Sequence, residues 1–106
     1  MINYALDDGE NMIDIKQTQY FIACAEYGSF SAAAESLFTT QSNVSKAIKA
    51  LEEELELKLF ERYPRGVSLT QEGERVYKYA VRVQNNMDEI MQTKMVFSVE
   101  ALKRGE

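Results

Sequence analysis

The segment "AAAESLFTTQSNVSKAIKALEEEL", from Ala32 to Leu55, is the most informative part of the sequence about the fold. It contains two helical patterns that are separated by only a few residues. The alanines of the first pattern have little bulk, so neighbouring helices can approach it closely. Thr40 can cap the second pattern, because its hydroxyl can accept a hydrogen bond from a free backbone N–H of the first turn. The stretch therefore predicts two short helices joined by a tight turn.

The second of these predicted helices has one apolar and one polar face. With about 3.6 residues per turn, its apolar residues form a narrow stripe, which consists of Val44, Ile48, Leu51 and Leu55. The opposite side carries Ser42, Ser45, Lys46 and Lys49. No carboxylate occurs from Gln41 to Leu51, although the chain has 17 acidic and 12 basic residues. This pattern predicts a helix that buries one face and offers the other to a polar or anionic partner.

Two helices are predicted on the N-terminal side of the turn, and the second of them is the first helix of the quoted stretch. The first runs from about Lys16 to Tyr27, and Gly28 is its expected C-terminal stop. Ser31 is the expected N-cap of the second, which covers Ala32 to Leu37.

A short hairpin is predicted after the polar-faced helix. Val67 to Thr70 alternate between apolar and polar residues, and Leu59 and Phe60 supply apolar positions before the turn. The sequence Pro64–Gly66 is typical of a turn, and it places Arg65 at the tip of the predicted hairpin. Together these features indicate a two-stranded wing.

A long final helix is predicted from Gln71 to about Lys103, with Thr70 as its cap. Apolar residues recur in it at alternating spacings of four and three, which is typical of a coiled-coil seam interrupted only by Lys94. The expected dimerisation residues are Val76, Ala80, Val83, Met87, Ile90 and Phe97. Because so small a domain cannot cover the whole stripe, part of it should face another chain.

Composition excludes several classes of function. The chain has no His and a single cysteine, Cys24, so neither a disulfide framework nor a Cys/His zinc site can form within it. No apolar run approaches the roughly 18 residues of a membrane span, and the acidic N-terminus does not resemble a signal peptide. We therefore expect a cytoplasmic protein without a metal or cofactor. The net charge of −5 arises mainly from residues 1–14, so it does not exclude a nucleic-acid partner elsewhere.

These predictions combine into a mainly α protein with three regions. Residues 1–13 are a loosely ordered extension, residues 14–70 form a winged helix-turn-helix with a three-helix core, and residues 71–106 form a dimerisation or linker helix. Helix-turn-helix domains place a polar helix in the DNA major groove. They also serve as protein-interaction modules without DNA binding, and this alternative stays open on the pattern alone.

The segment from Met12 to about Glu74 resembles the DNA-binding domain of LysR-type transcriptional regulators. The resemblance rests on "AEYGSFSAAA", "TQSNVSKAIKALE", "LFER" and "LTQEG". It implies a transcription regulator, not an enzyme, that binds an interrupted palindrome in double-stranded DNA as a homodimer with antiparallel linker helices. The DNA-binding residues it implies are Thr40, Gln41, Ser42, Asn43, Ser45, Lys46, Lys49, Arg62 and Arg65.

Roles follow from the same resemblance. Gln41 and its polar neighbours would read bases, with the glutamine suited to adenine, while Lys46 and Lys49 would contact phosphate. Arg65 would lie at the minor groove, whereas Arg62 would contact phosphate or only support the wing. The chain departs from the family at Glu56, where Gly is usual, and the family's effector domain is absent from it.

Overall fold

A computed structural model describes residues 13–105 and confirms the predicted architecture. Four helices and a two-stranded antiparallel sheet follow one another in the order of a winged helix-turn-helix with a long final helix. These elements are α1 (Ile15–Tyr27), α2 (Phe30–Ser36), α3 (Gln41–Leu55), β1 (Phe60–Tyr63), β2 (Gly66–Leu69) and α4 (Gln71–Lys103). The predicted extension, apart from Ile13, lies outside the described residues.

The ends of α1 and α3 follow from their capping residues. Asp14 caps α1 and exchanges hydrogen bonds with Gln17, and Gly28 ends the helix in the left-handed conformation at φ 65°. The predicted cap of α3 is confirmed, because Thr40 Oγ1 accepts a hydrogen bond from the backbone N–H of Asn43 at 3.1 Å. Glu56 ends α3 at φ 54°, a conformation that favours the glycine usual in the family.

The predicted cap and the predicted start of α2 are wrong by two residues. The cap is Ser29, not Ser31, and the helix covers Phe30 to Ser36 instead of Ala32 to Leu37. Ser29 has extended backbone and its side chain accepts from the N–H of Ala32 at 3.1 Å. Phe30 draws the helix start into the core, because it is buried against the ring of Phe60. This shift leaves Ser31 inside the first turn, with its side chain free for another role.

The core fixes which face of α3 meets solvent. Phe21 from α1 and Phe60 from β1 are completely buried and lie 5.4 Å apart between ring centroids. The predicted apolar stripe of α3 packs into this core, with Val44, Ile48 and Leu51 buried. Burying three such side chains stabilises the domain by roughly 1.5–3 kcal/mol each. The polar side of α3 is therefore held outward.

The wing is tied to the end of α1 by a close backbone approach. The N–H of Val67 donates to the carbonyl of Gly28 at 2.9 Å. Gly66 has φ 152°, and a Cβ there would lie 2.3 Å from the same carbonyl oxygen. Only glycine fits this position, which fixes the wing and the Arg65 tip relative to the helices.

The first turns of α4 pack against the rest of the domain. Thr70 is confirmed as its cap, with Oγ1 accepting from the N–H of Gly73 at 2.9 Å. Tyr77 donates from its hydroxyl to Glu26 of α1 at 3.1 Å. Ala80 is only 4% exposed and lies in the core, so it is a core residue instead of the predicted dimer contact. Its small size lets α1 and α4 approach closely, and that approach removes it from the surface.

Candidate nucleic-acid interface

The outward face of α3 presents most of the predicted DNA-binding side chains to solvent. Thr40, Gln41, Ser42, Asn43, Lys46 and Lys49 are exposed, and Ser45 is half-buried. None of the residues between Gln41 and Leu51 is acidic. The face therefore offers hydrogen-bonding groups and positive charge without carboxylates that would repel phosphate.

One cleft joins the start of α3 to the wing. It has a volume of about 330 Å³ and is lined by Gln41, Arg62 and Arg65 together with the start of α2. Three predicted site residues from distant parts of the sequence thus meet in one place. Two guanidinium groups and an amide are the groups that recognise phosphates and base edges.

Two of the predicted base-reading side chains are already held by neighbours. Ser31 Oγ donates to Gln41 Oε1 at 3.1 Å, across the turn between α2 and α3. Asn43 Nδ2 donates to Thr39 Oγ1 at 3.0 Å. These hydrogen bonds restrict the rotamers of both amides before any partner binds.

Arg62 is placed as a support for the wing. Its guanidinium lies over the ring of Phe30, with Cζ 4.7 Å from the ring centroid. This stacking connects β1 to α2 across the cleft. Arg62 is also exposed, so its N–H groups remain accessible to a phosphate.

A second concave surface extends the α3 face toward α1. Lys46 and Asn43 line it together with Lys16 and Tyr20, and the Lys16 ammonium lies 5.7 Å from the centre of the Tyr20 ring. Asp14 at the rim adds one negative charge. The structure therefore adds Lys16 as a positive group beside Lys46.

Lys49 lies apart from the other predicted site residues. It lines a separate shallow surface with Glu52, Glu53 and Lys58, near the acidic end of α3. Its charge is therefore partly offset by neighbouring carboxylates, and its phosphate-binding role stays a prediction.

Sequence reasoning missed Ser31 and Lys16 as members of this surface. A Ser31 that caps α2 would bond to the backbone of its own helix. Because α2 begins two residues earlier, the Ser31 side chain contacts Gln41 instead. Lys16 had no signal of its own, because an isolated Lys at a helix start is common on any surface. Only the packing of α1 against α3 brings it near Lys46.

The exposed stripe of α4 is the candidate dimer surface. Among the predicted residues, Val83 is 41%, Ile90 62% and Phe97 64% exposed. Met87 is exposed as well, whereas Val76 packs against the core. An apolar groove of about 310 Å³ adjoins the stripe where α4 meets α1, and Ile15, Tyr79 and Val83 line it.

Other kinds of site lack support in the part of the chain that the structure describes. No group of three or more His, Cys, Asp or Glu residues in it could hold a metal ion. Within residues 13–105 no helix combines the length and apolarity needed to cross a membrane. Burial raises the pKa of the Cys24 thiol to about 12, against the opposing charge of Arg62, so this thiol is unreactive at neutral pH.

Residues 15–74 match the model of the family described as bacterial regulatory helix-turn-helix protein, lysR family. The chain belongs to the lysR family. The matched range covers α1 to the beginning of α4, which includes the α3 face and the wing, so these elements are a helix-turn-helix DNA-binding domain of LysR type.

Curated relatives of this LysR-family chain are named transcriptional regulators. BenM of Acinetobacter baylyi is 39% identical over 89 residues, which are 83% of this chain and 29% of BenM. CitR of Bacillus subtilis is 38% identical over 90 residues, which are 81% of this chain and 31% of CitR. The chain thus spans about three tenths of the length of these relatives.

Solved structures of similar fold include DNA complexes. The DNA-binding domain of BenM bound to benA site 1 DNA has a TM-score of 0.74 at 35% identity and matches 80% of this chain and 96% of that domain. The CbnR DNA-binding domain in complex with DNA has a TM-score of 0.73 at 32% identity over 80% of this chain and 98% of that domain. The fold of this LysR-family domain is therefore one that is known to bind DNA in these relatives.

Proposed function

We propose that this chain is the DNA-binding and dimerisation part of a cytoplasmic transcription regulator that recognises an interrupted palindrome in double-stranded DNA. Each protomer inserts α3 into the major groove of one half-site. The single observation that carries the proposal is the convergence of Gln41, Arg62 and Arg65 in one cleft beside an α3 face without carboxylates. That combination matches what a groove with base edges and flanking phosphates requires.

Base reading is assigned to the start of α3. Gln41, Ser42 and Asn43 are exposed in its first turn, and Ser45 follows one turn later. Their short polar side chains can form hydrogen bonds with base edges, as the first residues of a recognition helix do.

Phosphate binding is assigned to the cations around this helix. Lys46 and Lys16 lie on one side of α3, and Arg65 lies on the other side at the tip of the wing. Arg65 would reach the neighbouring minor groove, and Arg62 would add a phosphate contact while it supports the wing. Thr40 keeps its hydroxyl on the backbone as a cap, so we assign it a structural role at the protein–DNA surface.

Dimerisation is assigned to the exposed stripe of α4. The stripe would be a large apolar patch in a monomer, and pairing with a second α4 would remove it from water. In an antiparallel pair, the second half of one α4 lies over the first half of the other. In the proposed pair, the apolar groove beside Val83 would receive the partner's Ile90 and Phe97, which are exposed in the single chain.

The alternative of a protein-interaction module without DNA binding has less support. The two structural relatives described above were solved with DNA on domains that share the fold of this chain. The alternative predicts no dependence of binding on DNA sequence, whereas our proposal predicts a selectable operator.

The test begins with selection of a binding site from random DNA, followed by titrations at several salt concentrations. Gln41→Ala should weaken binding to the selected site by about 1–3 kcal/mol and leave random DNA unaffected. Lys46→Ala should weaken both and lower the salt slope by roughly 0.9 per half-site. Lys103→Ala at the far end of α4 is the matched control for loss of one positive charge and should change neither.

Three results would each contradict one part of the proposal. Failure to select any sequence would contradict the proposed base reading. Binding that is insensitive to salt would contradict the proposed phosphate contacts. Sedimentation of the chain as a monomer at micromolar concentration would show that α4 is not sufficient for dimerisation.

A further inference from the structure

The side of α4 that packs on α1 stays apolar beyond the domain. In the inner half of α4, Gly73 is buried, Val81 packs against the core and Tyr77 donates a hydrogen bond to a carboxylate of α1. Eighteen residues make about five helical turns, so each of these three positions has an equivalent on the same side of α4 eighteen residues later. The equivalents are Met91, Met95 and Val99, which are exposed and which we call the outer face.

The outer face is separate from the seam through which two α4 helices would pair. At about 100° per residue, Met91 lies about 80° and Met95 about 120° around the helix from Val83, which belongs to the seam. The seam of a two-stranded coiled coil is a narrow stripe, so a second α4 alone would leave most of the outer face in water. Burial of the outer face therefore requires a further apolar surface.

Twofold symmetry places the outer face beside the α1 of the second chain. Closed homodimers are usually related by a twofold axis. In an antiparallel pair this axis is perpendicular to the plane of the two helices, so the sides of both helices that pack on α1 lie on the same side of that plane. The outer half of each α4 lies beside the inner half of the other. The outer face of one helix is therefore turned toward the α1 of the other chain.

The receiving surface is the N-terminal part of α1. Ile13 and Ile15 are large apolar side chains that remain exposed there. Together with Thr18 they form the α1 wall of the apolar groove of about 310 Å³, and Val83 belongs to its α4 wall. The groove thus has two walls, one for the seam of the partner's α4 and one for its outer face.

The lengths of the elements agree with this arrangement. The helix α4 runs from Gln71 to Lys103, so its midpoint is Met87. If two copies pair antiparallel about their midpoints, Met91 of one helix lies at the level of Val83 of the other. Ile15 and Val83 line the same groove in each chain, so the outer face begins at the level of the exposed part of α1.

We infer that the outer face packs on the α1 of a second copy of this chain, so that each DNA-binding domain is held between its own α4 and the partner's α4. The inference rests on the proposed dimer and deepens it. The helices α1 and α3 share one core, in which Phe21 and Val44 are buried, so a contact that fixes α1 also fixes the direction of the recognition helix. The outer face thereby restricts the half-site spacing that the dimer accepts.

Cross-linking tests the contact in the 106-residue chain. Ile15→Cys/Met91→Cys should form a covalent dimer on oxidation, because the two residues meet only between chains. Within one chain, Met91 lies about 12 Å farther along α4 than Val83, beyond the reach of a disulfide from Ile15. Ile15→Cys/Gln92→Cys is the matched control, because Gln92 lies on the side of α4 opposite to Val83. It should form about tenfold less covalent dimer, and the buried Cys24 of the wild type should form none.

Operator spacing tests the consequence. The wild type, Met91→Gln/Met95→Gln and the control Val96→Gln are titrated with the selected operator and with operators whose half-sites are one base pair closer or farther apart. Gln favours the helix about as well as Met, and Val96 is exposed on a side away from both the seam and α1. The double variant should remain a dimer and discriminate about tenfold less against altered spacing, because two partly buried methionine contacts are lost. The control should match the wild type.

Three results would overturn the inference. Equal cross-linking of the two double-cysteine variants would show that the outer face does not meet the partner's α1. A monomeric Met91→Gln/Met95→Gln variant would place these residues in the seam itself. A dimeric double variant that discriminates spacing as the wild type does would remove their role in spacing. In each case a dimeric wild type keeps the proposed function, whereas a monomeric wild type would end the proposed dimerisation and this inference together.

Discussion

The two halves of α4 have similar apolar patterns and opposite environments. In the first half, Gly73 and Ala80 are buried and Tyr77 is hydrogen-bonded to Glu26 of α1. In the second half, every residue from Asn85 to Glu100 is exposed, including Ile90 and six other large apolar side chains. Those six are Met87, Met91, Met95, Val96, Phe97 and Val99.

The difference shows that an apolar stripe specifies burial without specifying the partner. The first half of α4 is covered by its own domain because the wing and α1 reach that far. The second half extends beyond the domain, in a molecule whose longest dimension is 58 Å. Exposed apolar area of this kind favours a partner that removes it from water, and the proposed partner is a second copy of α4. One helix is thus a core element at its start and, in the proposed dimer, an assembly element at its end.

The largest effect expected from this comparison comes from one substitution placed in each half. Ala80→Asp would bury a carboxylate among apolar side chains, and we expect it to lower the free energy of unfolding by more than about 3 kcal/mol. Ile90 lies on the same stripe in the exposed half, so Ile90→Asp should leave the free energy of unfolding of the domain unchanged. It should instead abolish dimerisation and most of the operator affinity.

Thermal unfolding and sedimentation together check this pair of variants. A folded Ala80→Asp domain of normal stability would contradict the core position of Ala80. An Ile90→Asp variant that still sediments as a dimer would show that the exposed stripe is not the dimer surface.

A second expected effect concerns the contact of α4 with the wing. Replacing a helical glycine by alanine usually stabilises a helix by about 1 kcal/mol. At Gly73, however, a Cβ would lie 2.1 Å from the carbonyl oxygen of Leu59. We therefore expect Gly73→Ala to lower the free energy of unfolding by about 2 kcal/mol, measured by chemical denaturation.

Gln92→Ala is the control in the outer half of α4, because Gln92 is exposed and lies beyond the buried part of the helix. It should leave domain stability nearly unchanged. A stabilised Gly73→Ala variant would mean that α4 and the wing are not in close contact.

The buried Cys24 thiol should make the free energy of unfolding depend on alkaline pH. Burial raises the pKa of Cys24 from 9.0 to about 12, so the thiol stays protonated in the folded chain after the unfolded chain has lost its proton. The contribution of this group to stability is complete below pH 9 and is lost as the pH rises toward 12. The unfolding free energy should therefore fall by about 1 kcal/mol between pH 9 and pH 10 through Cys24 alone.

Cys24→Ala removes this titration while the tyrosines and lysines remain. The variant should have lower stability at neutral pH and a flatter dependence on pH above 9. Parallel pH dependences of the wild type and the variant would contradict the burial of the thiol.

The smallest expected effect separates the two arginines of the wing. Arg62→Ala removes the guanidinium over the Phe30 ring and should lower the free energy of unfolding by about 0.5 kcal/mol. Arg65→Ala should leave thermal stability unchanged and weaken DNA binding, because Arg65 lies at the exposed tip. Thermal melts and DNA titrations on both variants check this, and a fall in melting temperature for Arg65→Ala alone would reverse the assignment.

The helices, the strands and most of their ends follow from local sequence signals. Thr40, Thr70 and Gly28 act locally on backbone groups within a few residues, so their roles can be predicted from the chain alone. The apolar face of α3 also follows from helical periodicity, and its burial determines that the polar face is exposed. The prediction of site residues on that face rests on the same helical periodicity.

Contacts between residues that are distant in sequence depend on how the elements pack together. Ser29 replaced Ser31 as the cap because Phe30 packs against Phe60, a contact between residues thirty positions apart. The same shift allows Ser31 to bond with Gln41. Ala80 fits the α4 stripe equally well as a core or a dimer residue, and only the packing of α1 on α4 resolves the choice. Periodicity records which face is apolar, whereas packing between elements determines what covers that face.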